Sequence, residues 1–165
     1  MLDAEALLEA LNSTPIRDGR VEDGWRDDDV LDRWALDHGG QGGVQERRWL
    51  RLTRDALQEV ASGRDAQESI LKVLNGVRRV PELTSSGLEW HLEAPAGRGL
   101  AVELVLAWAD VQESLPARLR PCANPECSLF LIDRSRANAA RWCSMKTCGN
   151  RLKARRHQAR AREKP

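Results

Sequence analysis

The chain has 165 residues, with 26 Lys and Arg against 25 Asp and Glu, a formal net charge of +1. Split by position, residues 1–116 carry 13 basic and 22 acidic side chains (net −9), and residues 117–165 carry 13 basic and three acidic ones, Glu126, Asp133 and Glu163 (net +10). An acidic body joined to a basic tail points to a polyanionic partner for the tail, against the blander alternative of a tail folded onto its own body. A membrane span is excluded, because the most apolar run, "LAVELVLAWA", is short and contains Glu103. The opening "MLDAEALLEALNSTP" has acidic residues where a signal peptide carries positive charge, so a cytoplasmic, reduced protein is expected.

In chain order, Leu2, Leu7, Leu8 and Leu11 fall near helical spacing, and Asn12-Ser13-Thr14-Pro15 stops that helix. Asp18-Gly19 marks a short hairpin or loop. "DDDVLDRWALDHGG" reads as a helix with Val30, Leu31, Trp34 and Leu36 on its apolar face, and "GGQGG" after it as a flexible linker. A longer helix is predicted from Val44 to Ala61, with Trp49, Leu50, Leu57 and Val60 inward and Arg47, Arg48, Arg51 and Arg54 outward.

Asp65 and Glu68 then have capping-box spacing for a helix whose buried stripe is Ile70, Leu71, Leu74 and Val77, stopped by Pro81. Leu88 to Glu93 alternates as a strand, with Leu88, Trp90 and Leu92 on one face. "LAVELVLAWADVQESL" is helical and ends at Pro116. The expected fold class is mainly α with a small β element: a helical N-terminal domain over 1–116 and a small C-terminal finger over 117–165. The histidines, His38, His91 and His157, fall singly and build no catalytic arrangement, so the body gives no sign of an enzyme.

All four cysteines lie in the tail, as Cys122-x4-Cys127-x15-Cys143-x4-Cys148. Two pairs with a central loop match a four-thiolate zinc site, in which each pair forms a turn aiming both sulfurs at one ion. The alternative is four independent buried or redox-active thiols, which leaves the symmetric spacing unexplained. "SLFLID" reads as strand-like, and Phe130 and Trp142 are expected to form a small core against the metal. So small a module depends on zinc for much of its stability. Four thiolates and one zinc carry net −2, which lowers the tail from +10 to about +8.

Gly149 is expected to let the backbone pass near the metal and free an amide for a sulfur. A basic helix follows, in which Arg151, Lys153, Arg155, Arg156 and Arg160 are the candidate nucleic-acid contacts and Leu152 packs back onto the knuckle.

Cys148-Gly149-Asn150-Arg151, Arg141-Trp142-Cys143-Ser144-Met145 and Cys122-x4-Cys127 with Phe130 resemble the CGNR zinc finger, a C-terminal module of bacterial proteins regarded as stress-induced transcription regulators. "ALNSTPIRDGR" followed by "DDDVLDRWALDHG" resembles the start of the helical ABATE domain that usually precedes it. Ser13 departs from that pattern, in which Asn is followed directly by Thr; a ligand site lined by Asn12 would be altered here. The resemblance implies zinc on Cys122, Cys127, Cys143 and Cys148, a role in DNA binding, and a sensory or regulatory role for the body, with no small-molecule effector assigned. The expected function is a zinc-dependent regulator that binds duplex DNA, its acidic body dimerising, sensing a signal or contacting the transcription machinery. RNA binding, or an adaptor using the basic tail, are the alternative functions.

Overall fold

A computed structural model describes residues 1–155. Arg156, Arg160 and His157, named above, lie outside the described residues. The fold is mainly α with three two-stranded antiparallel sheets. Among the described residues no helix is long and apolar enough to cross a membrane.

Helix α1 (Ala4–Leu11) starts at Asp3, whose carboxylate accepts from the amides of Glu5 and Ala6 and so satisfies donors that have no partner within the helix. Strands β1 (Ile16–Arg17) and β2 (Arg20–Val21) turn through Asp18 and Gly19, both at positive φ, as a tight hairpin requires. Asp27 caps α2 (Asp28–Asp37). Then come α3 (Val44–Ala61), α4 (Gln67–Leu74), β3 (Arg78–Thr84), β4 (Gly87–Glu93) and α5 (Gly99–Ser114). Strands β5 (Leu119–Pro121) and β6 (Phe130–Ile132) lead to a π-helical turn over Met145–Gly149 and helical residues 150–155.

The core forms around α5, against which α1, α3 and α4 pack. Leu7, Leu11, Leu31, Leu50, Leu57 and Leu104 are fully buried in one cluster, and Val73, Ala101, Val102 and Val105 form a second. The first cluster also contains Leu119 and Phe130 from β5 and β6. The finger strands are therefore part of the body's core. Phe130 packs there rather than with Trp142 at the metal site, because β6 lies along α1.

Other expectations change for identifiable reasons. On α2 the buried residues are Leu31 and Ala35, while Val30 and Leu36 are exposed; the helix lies on the core by a narrow stripe. Arg54 is buried, not outward: its guanidinium forks onto both carboxylate oxygens of Asp23 at 2.6 and 3.0 Å and also meets Asp55. Burial opposes the charge on each partner, yet their mutual hydrogen bonds and attraction prevail, lowering the Asp23 pKa and raising that of Arg54.

The "GGQGG" segment is ordered by buried Glu46, which accepts from the amides of Gln41 and Gly42, while Asp32 accepts from that of Gly43. A Cβ on Gly40 would stand 2.4 Å from Leu100 Cδ1 and 2.8 Å from a Glu46 carboxylate oxygen, so those side chains would have to move to admit a larger residue. The α4 N-cap is Ala66, with Asp65 accepting from the Gln67 amide and Glu68 turned to Lys72, so the capping box does not form. Val73 is buried and Leu71 exposed. Asn75 and Gly76, not Pro81, end α4; Pro81 lies inside β3. Leu88, Trp90 and Leu92 share a face of β4 as expected, but all three are exposed.

Phe130→Ala is expected to cost about 3–5 kcal/mol. Because the side chain belongs to the body's core, urea denaturation should show one transition shifted to lower denaturant by tryptophan fluorescence. Loss of finger structure alone would instead leave the body transition in place.

Candidate metal centre

The tail of α5 hands the chain to β5 through Ala117, at positive φ, and the first cysteine turn is the loop that connects β5 to β6. Cys122 follows Pro121 directly, and its amide donates to the Leu129 carbonyl at 2.8 Å. Asn124 and Pro125 make the turn back, with the Cys127 amide donating to the Asn124 carbonyl. The second turn is tied to the first where the Ala123 amide donates to the Arg141 carbonyl. Cys143 precedes the π-helical turn and Cys148 lies within it.

These turns bring the four Sγ atoms within 4.8 Å of one another. Cys127–Cys143 and Cys143–Cys148 are both separated by 3.7 Å. A zinc ion with bonds of about 2.3 Å to sulfur needs tetrahedral edges of about 3.8 Å, so the cluster has the size of that ion's cage. All four cysteines are free thiols.

The surroundings supply donors to sulfur, as a thiolate cage requires. The Leu129 amide donates to Cys127 at 3.5 Å, the Cys143 amide to Cys122 at 3.4 Å, and buried Asn124 donates its side-chain amide to Cys148 at 3.4 Å. As bare thiols the four disfavour joint ionisation. Burial first, then the neighbouring sulfurs, push Cys127 up to about 11 and Cys143 higher. At Cys148 burial acts the same way, but hydrogen bonds from Asn124 and the neighbouring cysteines outweigh it and lower the pKa. A bound dication removes the conflict by stabilising every thiolate at once. The donor set, spacing and hydrogen bonds therefore fit zinc.

Asn124 is a functional residue that cysteine counting alone does not reveal; the Asn-Pro turn inside the first pair is its signal. The Gly149 amide donates to the Ser144 carbonyl rather than to a sulfur. A Cβ there would stand 2.9 Å from Met145 Sδ and 3.2 Å from Trp142 Cδ1, so both side chains would have to give way to a larger residue.

A second anchor lies at Asp133, which is almost wholly buried. It accepts from the amides of Ser135 and Ala140 and from Arg120, fixing the loop between the cysteine pairs. The Ser135 bonds lead in holding its pKa down to about 2, despite burial, and Arg120 adds its charge.

The body grips this unit through Asn12. Its side chain accepts from the Phe130 amide at 2.7 Å and donates to the Phe130 carbonyl at 3.3 Å, as a neighbouring strand would. Ser128 donates to the Thr14 carbonyl at 2.6 Å, and Gln58 bridges Leu11 and Thr14. The Asn12–Thr14 segment thus serves as a clamp on β6.

Of the candidate nucleic-acid contacts, Arg151, Lys153 and Arg155 are exposed on helical residues 150–155, with Leu152 half-buried beneath them. Arg155 pairs with Glu126, inside the first cysteine turn. Arg151 faces Glu126 and the Asp18-Gly19 turn across a cleft of about 650 Å3 that also contains Arg17. Of the histidines, His38 stacks on Trp34 and meets Glu9, while His91 pairs with Glu82 on a different element.

Residues 118–161 match the family model of the CGNR zinc finger. The matched segment contains the four clustered cysteines. Among curated proteins, none matches this chain.

Purified protein is expected to hold about one zinc per chain by elemental analysis, lost in Cys143→Ser. Asn124→Ala should keep the four ligands yet weaken zinc about 10–100-fold in chelator competition, the usual cost of losing an outer hydrogen bond.

Asp133 makes a separate pH prediction. Its folded pKa, about 2, lies below its ordinary value of 3.8, so its stabilisation is complete above about pH 5 and is lost as pH falls from there through 2. The stability gap between wild type and Asp133→Asn should shrink over that window in acid titrations followed by circular dichroism. A gap that stays constant to pH 2 contradicts the assignment.

Proposed function

We propose that the chain is a zinc-dependent, DNA-binding transcription regulator of a bacterial cytoplasm. The observation that carries this reading is the anchoring of residues 150–155 on the four-sulfur cluster. The segment buries little beyond Leu152 and turns Arg151, Lys153 and Arg155 outward. A helix polar on nearly every side has little to bury by itself, and phosphate contacts by Lys and Arg supply most of the sequence-independent affinity for a duplex. Cys122, Cys127, Cys143 and Cys148 would hold the zinc. Arg151, Lys153, Arg155 and, beyond the described residues, Arg156 and Arg160 would meet the DNA.

In this reading residues 1–116 are an ABATE-like regulatory domain and residues 117–165 the effector finger, fixed to each other by the Asn12 clamp. The protein acts by binding, not by catalysis. A homodimer would present two basic helices to one duplex, in keeping with the symmetry of many operators. RNA is the second reading. The exposed cations at 151, 153 and 155 suit structured RNA as well, but this segment offers no aromatic platform for stacking unpaired bases.

Duplex binding should be measured by fluorescence anisotropy across a salt series, with total RNA as competitor. Wild-type protein should bind and show a steep salt slope; Arg151→Glu with Lys153→Glu should weaken binding and flatten the slope by about 1 per lost phosphate contact. Glu126→Gln should tighten binding a few-fold by releasing Arg155. No affinity for any duplex at low salt overturns the proposal, and preferential displacement by RNA moves it to the second reading.

A further inference from the structure

The β3–β4 hairpin is largely exposed. Every residue of β4 is exposed, and Leu83, Leu88, Trp90 and Leu92 leave apolar surface in water. The cross-strand pairs Leu83–Leu88, Pro81–Trp90 and Arg79–Leu92 share one face, while Glu82–Glu89, Val80–His91 and Arg78–Glu93 share the other. The first face borders a groove of about 640 Å3 against Leu106 and Ala109 of α5. An exposed apolar ribbon with open edges invites pairing unless those edges are blunted.

The two edges differ. Pro81 sits inside an unbroken ladder, and a proline has no N–H to give to β4, so its nitrogen faces the outer edge of β3 and interrupts it. The alternation of an antiparallel ladder then turns the N–H and C=O groups of Leu88, Trp90 and Leu92 to the outer edge of β4. Among the described residues no strand covers that edge.

The sequence along it, Leu88-Glu89-Trp90-His91-Leu92, is self-complementary about Trp90. Antiparallel pairing with a second copy sets Leu88 opposite Leu92, Trp90 opposite Trp90 and Glu89 opposite His91. The apolar pairs all fall on one face and the Glu89–His91 pairs, a carboxylate acceptor opposite an imidazole, on the other. A slip of two residues either way would oppose Glu89 to Glu89 or leave His91 opposite His91 without its carboxylate acceptor, so the polar face favours the register centred on Trp90. Both polar side chains are already ordered within the hairpin: Glu89 accepts from Thr84 and Ser86, and His91 meets Glu82 at 2.9 Å.

We propose that the outer edge of β4 is a homodimer interface, at which two chains join through antiparallel β4–β4 pairing into one four-stranded sheet. The inference deepens the homodimer part of the function above and does not depend on nucleic-acid binding.

Sedimentation equilibrium of the full-length, zinc-loaded chain tests it. Wild type at micromolar concentration should sediment at twice its 18.5 kDa chain mass. His91→Glu sets Glu89 against a new carboxylate at both symmetric positions, and Glu89→Lys takes the carboxylate acceptor away from His91 at both; each should weaken the dimer about tenfold. The double exchange, Glu89→Lys with His91→Glu, sets a cation against a carboxylate at both positions and should restore the dimer. Trp90→Pro removes the central outward N–H while its nitrogen faces away from β3, and should give a monomer with unchanged zinc content and circular dichroism. A monomeric wild type overturns the proposal, as does a dimer that survives both single exchanges and Trp90→Pro, or a double exchange that fails to restore pairing. Duplex affinity, measured on the same samples, can fail while the dimer persists, so the two readings fall separately.

Discussion

Strand β6 and the cysteine turn that leads into it have two duties that meet within four residues. Cys127 turns its sulfur to the cysteine cluster, and Phe130, three residues later, inserts its ring into the core of the helical body. Asn12 then pairs with both backbone polar groups of Phe130, so that α1 ends by completing the edge of the finger's sheet. The placement of the cluster therefore depends on the body, and part of the body's core depends on the strands that the cluster closes. Metal binding and folding are linked in small zinc modules because the ligands converge only in the folded chain. Here that linkage extends through Leu119 and Phe130 to the leucines of α1, α3 and α5.

The features legible in the sequence were those set by local chemistry. Helix α3 runs from Val44 to Ala61 as its periodicity indicates, the Asp18-Gly19 turn forms, and the cysteine spacing alone marks out the cluster. The features that were not legible depend on residues distant in the chain. Arg54 has the helical position of an outward cation, and only Asp23, 31 residues earlier, makes its burial tolerable. The "GGQGG" segment has a linker's composition, but Glu46 fills its cradle of amides, a contact that requires α3 to be in place. Pro81 is a stop signal in a helix and an edge signal in a strand, and which of these applies is decided by Asn75-Gly76 having ended α4 first. Phe130 looked like a finger residue because its sequence neighbours are; it belongs to the body's core cluster, with β6 lying along α1.

The site was legible in its ligands and not in its supports. Four cysteines at symmetric spacing leave few other readings, whereas Asn124, Asp133 and Asn12 are ordinary polar residues until their partners are known. Each satisfies backbone or sulfur atoms that would otherwise be buried without a partner, and such groups cost more when abandoned than their bonds gain when made. Those three side chains set how closely the four sulfurs are held, through the first turn, the intervening loop and the body in turn.

The charge on the finger can be sorted by what each cation does. Arg118 donates to the carbonyls of Asp133 and Ser135, Arg120 to the Asp133 carboxylate, and Arg134 to Glu5 of the body. These three hold the fold together and are not surplus charge for a partner. Arg141 lies over the Trp142 ring, and Arg155 is drawn to Glu126. The tail's excess therefore overstates the cations available to a polyanion; among the described residues the remainder is Arg136, Lys146, Arg151 and Lys153. Glu126 occupies a special position between Arg151 and Arg155: its own pKa is lowered by the Arg155 hydrogen bond and further by the charge of both arginines. A carboxylate there ties the first cysteine turn to the helix through Arg155. In the proposed function it would compete with an incoming phosphate for the same guanidinium, so the acidic residue in the first cysteine turn would belong to the proposed contact surface along with the arginines.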